Sequence, residues 1–453
     1  MNLMPNTQFD LKRNETSFIQ RVNKLQEKFQ IGLLDRLHQF APSPISLTPW
    51  QLFEADFKRA LLTAKALSQL SYSAIKNPAF LLSSLQDFND HTNLLYQFKR
   101  ILERRIKNNI AIGAKAVNIN RFDLLLDKNN HWKLVESNAI AAGMGPFSEQ
   151  LSSIHQHLSN DYLRNAAPNS SIKHQSNELF LQAKKIARHK APNIVFVVEP
   201  EENNVYDQQY LAKALENLGA TVIFRTFNQL NNDLSSKSKS LYLNNYGKIS
   251  LFYYRSGYNL VDYKDQTNES SLLHLREWVE KHQVAVCPSI EQQVASSKWL
   301  QMKLSLIDEE HLHKDFNMTL SDAKLVTQSL GSDYQKVEDI HQVQHLLHNQ
   351  NWLLKNQNEG GGNVLSKSDS LPGISLLKRS YFLMKKIDST ERNDVLILNN
   401  NRQQLLKKVI SELGVFIVGD KHDYGGYLLR SKSTDKLETG VHSGNGFLDC
   451  VRF

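Results

Sequence analysis

Lys355-Asn356-Gln357-Asn358-Glu359-Gly360-Gly361-Gly362-Asn363 follows directly on the apolar run Trp352-Leu353-Leu354. The chain carries only 19 glycines in 453 residues, and three of them are consecutive here. Glycine lets a backbone approach an anion closely, with successive N–H groups turned toward it. Lys355, at the end of a predicted strand, reads as a phosphate cation. Glu359 reads as a carboxylate that holds Mg²⁺ against phosphate oxygens. The stretch is neither a Walker A loop nor Gly-x-Gly-x-x-Gly. A plain surface turn is the competing reading of a bare glycine triplet.

Working outward, a second acidic group lies upstream. Phe122 to Asp127 and Trp132 to Glu136 are apolar-rich runs joined by Lys128-Asn129-Asn130-His131, the pattern of a β-hairpin. Its second strand ends in Glu136-Ser137-Asn138. Alternation places residues i and i+2 on one face, so Glu136 and Asn138 can share a cation. Arg121, Arg255 and Arg430 each sit in apolar surroundings. A guanidinium at a strand end suits bidentate contact with a carboxylate, and an internal salt bridge is the alternative. His341, His345 and His348, with Glu338 one turn before, share a helix face. Without Cys or a His-Glu-x-x-His order, they read as a solvated face rather than a zinc site.

The first hundred residues read as helical: Phe18, Val22, Leu25, Phe29 and Leu33, then Phe53, Phe57, Leu61, Leu62 and Ala64, recur at helical spacing. From Pro192 the pattern becomes strand, helix, strand. Ile194–Val198, a helix from Gln208 to Leu218, and Thr221–Phe224 make a βαβ unit. Leu251–Tyr254, a helix near Leu272 to Lys281, and Val284–Val286 extend it. Beyond Trp352 strands return, at Tyr381–Met384, Leu413–Val418 and Tyr427–Arg430; Leu405–Leu413 reads equally as helix or strand. Apolar residues make up 41% and charged residues 22%, as in ordinary globular proteins. No run of 18 apolar residues indicates a membrane span, and no secretory signal is readable at Met1–Asn6. Cys287 and Cys450 read as reduced thiols of a cytoplasmic protein. The net charge of +8 favours anionic partners, but no zinc-finger or RNA-binding pattern supports nucleic acid.

Taken in order, several motifs resemble the eukaryotic-type glutathione synthetase family of the ATP-grasp superfamily, from about residue 115 to the C-terminus. They are Ile119-Asn120-Arg121-x-Asp123, Glu136-x-Asn138, Asn204-Val205-Tyr206-Asp207-Gln208, Tyr254-Arg255-x-Gly257-Tyr258, Cys287-Pro288-Ser289-Ile290, Lys355-x-Gln357-x-Glu359-Gly-Gly-Gly-Asn363, Leu383-Met384-x-Lys386-Ile387, Ser411-Glu412-Leu413-Gly414 and Leu428-Leu429-Arg430-x-Lys432. The resemblance implies an α/β (α+β) fold: an ATP-grasp body with a helical N-terminal region and an inserted small α/β substrate domain. Residues 1–115 would be the helical part, 116–190 the strands for substrate and metal, 191–300 the insertion, and 301–453 the body with its glycine-rich lid. It implies a homodimer that joins γ-glutamylcysteine to glycine through an acyl phosphate, with ATP as co-substrate, two Mg²⁺ per site, and neither nucleic acid nor membrane as partner.

By position, the resemblance assigns Glu136, Asn138 and Glu359 to metal. Lys298, Lys355, Glu359, Gly360, Gly361, Gly362, Asn363, Met384, Lys385, Lys386, Ile387, Glu412, Lys432 and Glu438 would hold ATP. Arg121, Ala141, Ala142, Gly143, Asn204, Gln208, Arg255, Tyr258, Arg430, Val441 and His442 would hold the joined substrates. Arg121, Lys355 and Arg430 would serve the chemistry. The chain departs from the family at four places. Ala141-Ala142-Gly143 replaces Ser-Ala-Ser, Ser366 replaces an aromatic, Glu438 replaces an aspartate, and His442 replaces an alanine. A histidine there either shrinks the acceptor pocket or favours an acceptor with a second polar group. The alternatives are an ATP-grasp ligase with another acceptor and a non-catalytic nucleotide-binding homologue.

Overall fold

The computed structural model describes residues 15–159, 165–265, 271–331, 333–349, 351–358, 362–366, 369–441 and 443–453. Three sheets organise it. The largest has seven strands in the order Arg392–Asn399, Ile45–Ser46, Phe447–Asp449, Asp423–Ser433, Arg402–Val418, Ile119–Leu126 and Trp132–Asn138. The ambiguous stretch Leu405–Leu413 lies wholly in the strand Arg402–Val418. Asn400 and Asn401 both adopt positive φ, at 48° and 61°. They form the tight two-residue connection that pairs Asn399 with Arg402. This hairpin register overrides the local helix pattern. The far half of the strand, Val409–Val418, hydrogen-bonds to Asp423–Ser433 on one side, and from Glu412 onward to Ile119–Leu126 on the other.

The helix Glu54–Ile75 covers this sheet. Phe57, Ala60, Ala64, Leu67, Leu70 and Ala74 form its buried face. Phe57 meets the rings of Tyr424, Tyr427 and Phe453 edge-on at 5.5–6.4 Å. Phe53 and Leu62 do not join that face. Phe53 is the helix N-cap and 80% exposed, and Leu62 lies on the solvent side. The first helix spans Glu15–Lys28, so Leu33 falls beyond it in the short strand Gly32–Leu34.

The second sheet is fully parallel, in the order Lys115–Ala116, Ala285–Cys287, Leu251–Tyr254, Asn193–Val197, Thr221–Arg225. Its inner strands are apolar and buried on both faces, as helix-covered parallel strands are. The helices Val205–Asn217 and Leu273–Glu280 make the crossovers. Its edge strand Lys115–Ala116 comes from earlier in the chain. The third sheet is antiparallel, with Tyr334–Lys336, Tyr381–Lys385, Trp352–Asn356 and Val364–Leu365 in that order. It has its own small core around Val343, Leu354, Leu377 and Leu383. His341, His345 and His348 are exposed on the helix Ile340–His348.

Gly414 pairs with Asp123 across the large sheet. A Cβ on Gly414 would lie 2.5 Å from Asp123 Oδ1 and 2.8 Å from Arg121 Cδ. Gly414→Ala is expected to destabilise the fold by roughly 1–3 kcal/mol, read as a lower midpoint in urea unfolding.

Candidate active site

The hairpin Ile119–Leu126/Trp132–Asn138 places Arg121 opposite Asn138 and Asp123 opposite Glu136. Asp123 is wholly buried and accepts four hydrogen bonds. Arg121 grips it through Nε at 2.7 Å and Nη2 at 2.9 Å. Arg430 Nη2 reaches it at 3.0 Å and Asn138 Nδ2 at 3.0 Å. Arg430 also contacts Glu412, its cross-strand partner, whose Oε1 accepts from Thr439 at 2.9 Å. A polar, charged layer is thereby built on four adjacent strands. Burial raises the pKa of Glu412, reinforced by the nearby Asp123 and Glu136 carboxylates and opposed by Arg430.

A β-bulge falls at Val135, where pairing slips between Asp123 and Leu124. Bulges re-aim backbone next to sites. Here the Val135 carbonyl accepts Lys355 Nζ at 3.1 Å. Lys355 thus crosses from the third sheet to the edge of the first. Burial lowers its pKa, while Glu136 pulls the other way. Lys298 Nζ lies 2.8 Å from the Asn358 carbonyl and 3.7 Å from Glu136 Oε2. Burial opposes ionisation of Glu136, but Lys298, Lys355, Arg430 and Arg121 prevail and hold its carboxyl down at about 2.

Of these groups Arg121, Glu136, Asn138, Lys298, Lys355, Glu412 and Arg430 line one cavity of about 760 Å³. Its described walls carry nine Lys and Arg side chains (residues 121, 255, 298, 355, 385, 386, 430, 432, 436) against four Glu (136, 202, 412, 438). That surplus suits a polyanion. At one end stand Gly362, Asn363, Met384–Ile387, Lys432 and Glu438. Gly362 and Asn363 donate their N–H groups to Glu438, at 2.7 and 3.1 Å. The loop amides expected to face phosphate thus face a carboxylate. Lys432 is tied to the carbonyls of Lys436 and Leu437, and burial brings its pKa down to about 8. Lys385 turns its ammonium to Asp333, at 2.9 Å.

The other end is formed at the C-terminal ends of the parallel strands, where open α/β sheets bind ligands. Asn204, Arg255 and Tyr258 line it, with Ala141, Gly143 and Val441 nearby. Arg255 pairs with Asp207 at 2.9 Å and sits against Gly143. A Cβ there would come 2.6 Å from Arg255 Nη2. Ala141 and Met144 hold positive φ, at 48° and 68°, in the turn between them. Gln208 does not reach the cavity; its Nε2 donates to Glu202 Oε2 at 2.6 Å. Ala142 turns into the apolar core. Glu359, Gly360, Gly361 and His442 lie outside the described residues. All three arginines make internal salt bridges, Arg121 and Arg430 with Asp123 and Arg255 with Asp207, while also lining the cavity.

Sequence reading passed over three residues at this site. Asp123 stood in a quoted motif without a role. Glu202 and Gln293 both line the cavity. The signal for these two was positional, since each follows a buried parallel strand.

Two sheets flanking a basic cavity, with the Gly362 and Asn363 amides on one and the paired oxygen donors Glu136 and Asn138 on the other, have the arrangement of an ATP-grasp ligase. Residues 33–453 match the family model described as eukaryotic glutathione synthase, ATP binding domain, and the chain belongs to that family. It resembles glutathione synthetase of Dictyostelium discoideum, at 27% identity over 90% of both chains, and that of Homo sapiens, at 26% over 92% of this chain and 93% of the relative. The chloroplastic glutathione synthetase of Arabidopsis thaliana is 25% identical over 98% of this chain and 87% of its own. Among solved structures, a glutathione synthetase-like effector from Globodera pallida superposes over 100% of this chain and 99% of its own. The TM-score is 0.72 at 15% identity, a likeness of fold. The protein is an ATP-dependent ligase with ATP as co-substrate.

The Glu136 carboxyl has an ordinary value of 4.5 and is held at about 2 in the fold. Its ionised form therefore contributes stability that is fully present above about pH 4.5 and is lost as pH falls toward 2. Glu136→Gln is expected to flatten the loss of stability between pH 4.5 and 3, measured by urea unfolding of the ligand-free protein.

Proposed function

We propose that the protein joins γ-glutamylcysteine to glycine. The observation that carries this reading is the Asp123 layer, which sets Arg121, Arg430, Glu136 and Asn138 side by side between the two ends of the cavity. In this reading Lys298, Lys355, Lys432, the Gly362–Asn363 amides and Met384–Ile387 bind ATP. Arg255, Asn204, Glu202 and Tyr258 orient the γ-glutamyl head. A donor carboxylate oxygen attacks the γ-phosphorus, the bond to the bridging oxygen breaks, and ADP leaves. The acceptor amine then attacks the acyl carbon, loses a proton, and phosphate departs. Such chemistry needs positioning and concentrated positive charge rather than a protein nucleophile. Both cysteines are buried and joined by no disulfide, neither lines the cavity, and they suit a cytoplasmic setting. Among the described residues no helix is long and apolar enough to cross a membrane.

The donor set fits Mg²⁺. Glu136 is ionised, and the Asn138 amide donates through Nδ2 to Asp123, which turns its oxygen to the acceptor role. Glu136, Asn138 and Glu359 would hold two ions, which when bound neutralise phosphate charge. We assign residues 1–115, 116–190, 191–300 and 301–453 to the four parts expected above, and the assembly to a homodimer, to be checked by sedimentation. A second reading keeps the mechanism with a different acceptor. His442, in place of the family's alanine, favours it.

Phosphate release with ATP, Mg²⁺ and γ-glutamylcysteine is expected to require glycine. Release only with another amino acid would select the second reading, and none with any acceptor would leave a nucleotide-binding homologue. Arg255→Met is expected to raise the donor KM at least tenfold, because it removes a charge-assisted contact. Steady-state kinetics at saturating ATP measures it. Gly143→Ala, which crowds the same guanidinium, should raise that KM in the same direction.

A further inference from the structure

Residues 87–93 meet the third sheet outside the cavity. Asp90 and Asn93 are buried. Asn93 caps the helix Leu94–Lys107, its Oδ1 accepting the Leu95 N–H at 2.9 Å. Its Nδ2 has a separate partner, Asn358 Oδ1, at 2.8 Å. Asn358 is exposed and stands just before the glycine loop. Its N–H donates to Asn356 Oδ1 at 2.8 Å, and its carbonyl accepts Lys298 Nζ at 2.8 Å. Asp90 takes the Ser380 hydroxyl, and the Ser380 carbonyl takes the Gln357 N–H at 3.0 Å. Asn356 and Tyr381 are paired across adjacent strands. One short turn therefore grips the chain beside two strands of the third sheet, Trp352–Asn356 and Tyr381–Lys385, where they approach Lys355 and Lys298.

We propose that Asn93 is a positioning residue for ATP: through Asn358 it fixes the carbonyl that aims Lys298 and the strand end that carries Lys355. The inference rests on reading these two lysines as nucleotide ligands. A cap needs only an oxygen that accepts from the first turn, and serine supplies one. The donated bond to Asn358 is surplus to capping. It joins the helical layer to an exposed loop end whose other bonds run to Asn356 Oδ1 and to the Lys298 ammonium itself. An ammonium aimed from an unanchored carbonyl loses part of its preorganised contact with phosphate, while the γ-glutamyl end, on a different sheet, is untouched.

Asn93→Ser keeps a capping oxygen and cannot reach Asn358. Its Kd for ATP, by titration calorimetry on the full chain, is expected to weaken roughly tenfold, the scale of one lost hydrogen bond to a positioned charge. Its KM for ATP should rise in parallel while the KM for γ-glutamylcysteine stays at the wild-type value, a split that general loosening of the fold would not produce. Asn358→Ala, which leaves the helix and its cap intact, should weaken ATP similarly, and the double variant no further than either single one. Wild-type ATP affinity in Asn93→Ser, equal loss in both KM values, or additive losses in the double variant would overturn the proposal. Wild-type protein that fails to bind ATP at all would instead sink the assignment of the lysines.

Discussion

The buried carboxylate of Asp123 is the constraint on which the site depends. It lies on the hairpin at one edge of the large sheet and takes two bonds from Arg121, one from Arg430 and one from Asn138. Two guanidiniums buried within a few ångströms of each other would repel strongly without it. Removing one partner from such a buried set typically costs about 3–5 kcal/mol, because the remaining charges stay desolvated. Gly414 makes the arrangement possible, since any side chain there would collide with Asp123 and Arg121. The layer is thus a packing solution as much as an electrostatic one.

From that layer the cavity divides by chemistry. Toward the third sheet it is rich in lysine, and burial pushes Lys355 and Lys432 below their ordinary values while neighbouring carboxylates resist. Toward the parallel sheet it is built from strand-end polar residues, with Glu202 held by Gln208 and Arg255 held by Asp207. Glu438 occupies the Gly362 and Asn363 amides with a carboxylate. Those amides thus favour an anion by geometry, whichever anion arrives.

Much of the fold was legible in the chain. Buried β-branched runs separated by helix-length segments announced the parallel sheet, because only strands covered on both faces are apolar throughout. The hairpin ending at Glu136 was readable from alternation and its polar turn. Leu405–Leu413 was not, since the Asn400-Asn401 turn and the partner strands set its conformation rather than its own periodicity. Phe53 and Leu62 fitted a helical stripe and yet face solvent, because spacing cannot say which side of a helix its neighbours cover.

The sequence by itself determined the kinds of chemistry available: a glycine loop with a lysine before it, carboxylate and amide oxygens two apart on a strand, and arginines at strand ends. These follow from side-chain type and local spacing. Tertiary structure alone decided that strand-end residues far apart in the chain, from 121 to 430, share one cavity, and that Asp123 rather than any predicted ligand is its hub. It also decided that Gln208 and Ala142 stand behind the wall while Glu202 and Gln293 form part of it. The physical reason is that charge and burial are pairwise and long-range. Which cation meets which carboxylate depends on strand register across three sheets, and no local stretch of sequence encodes that register.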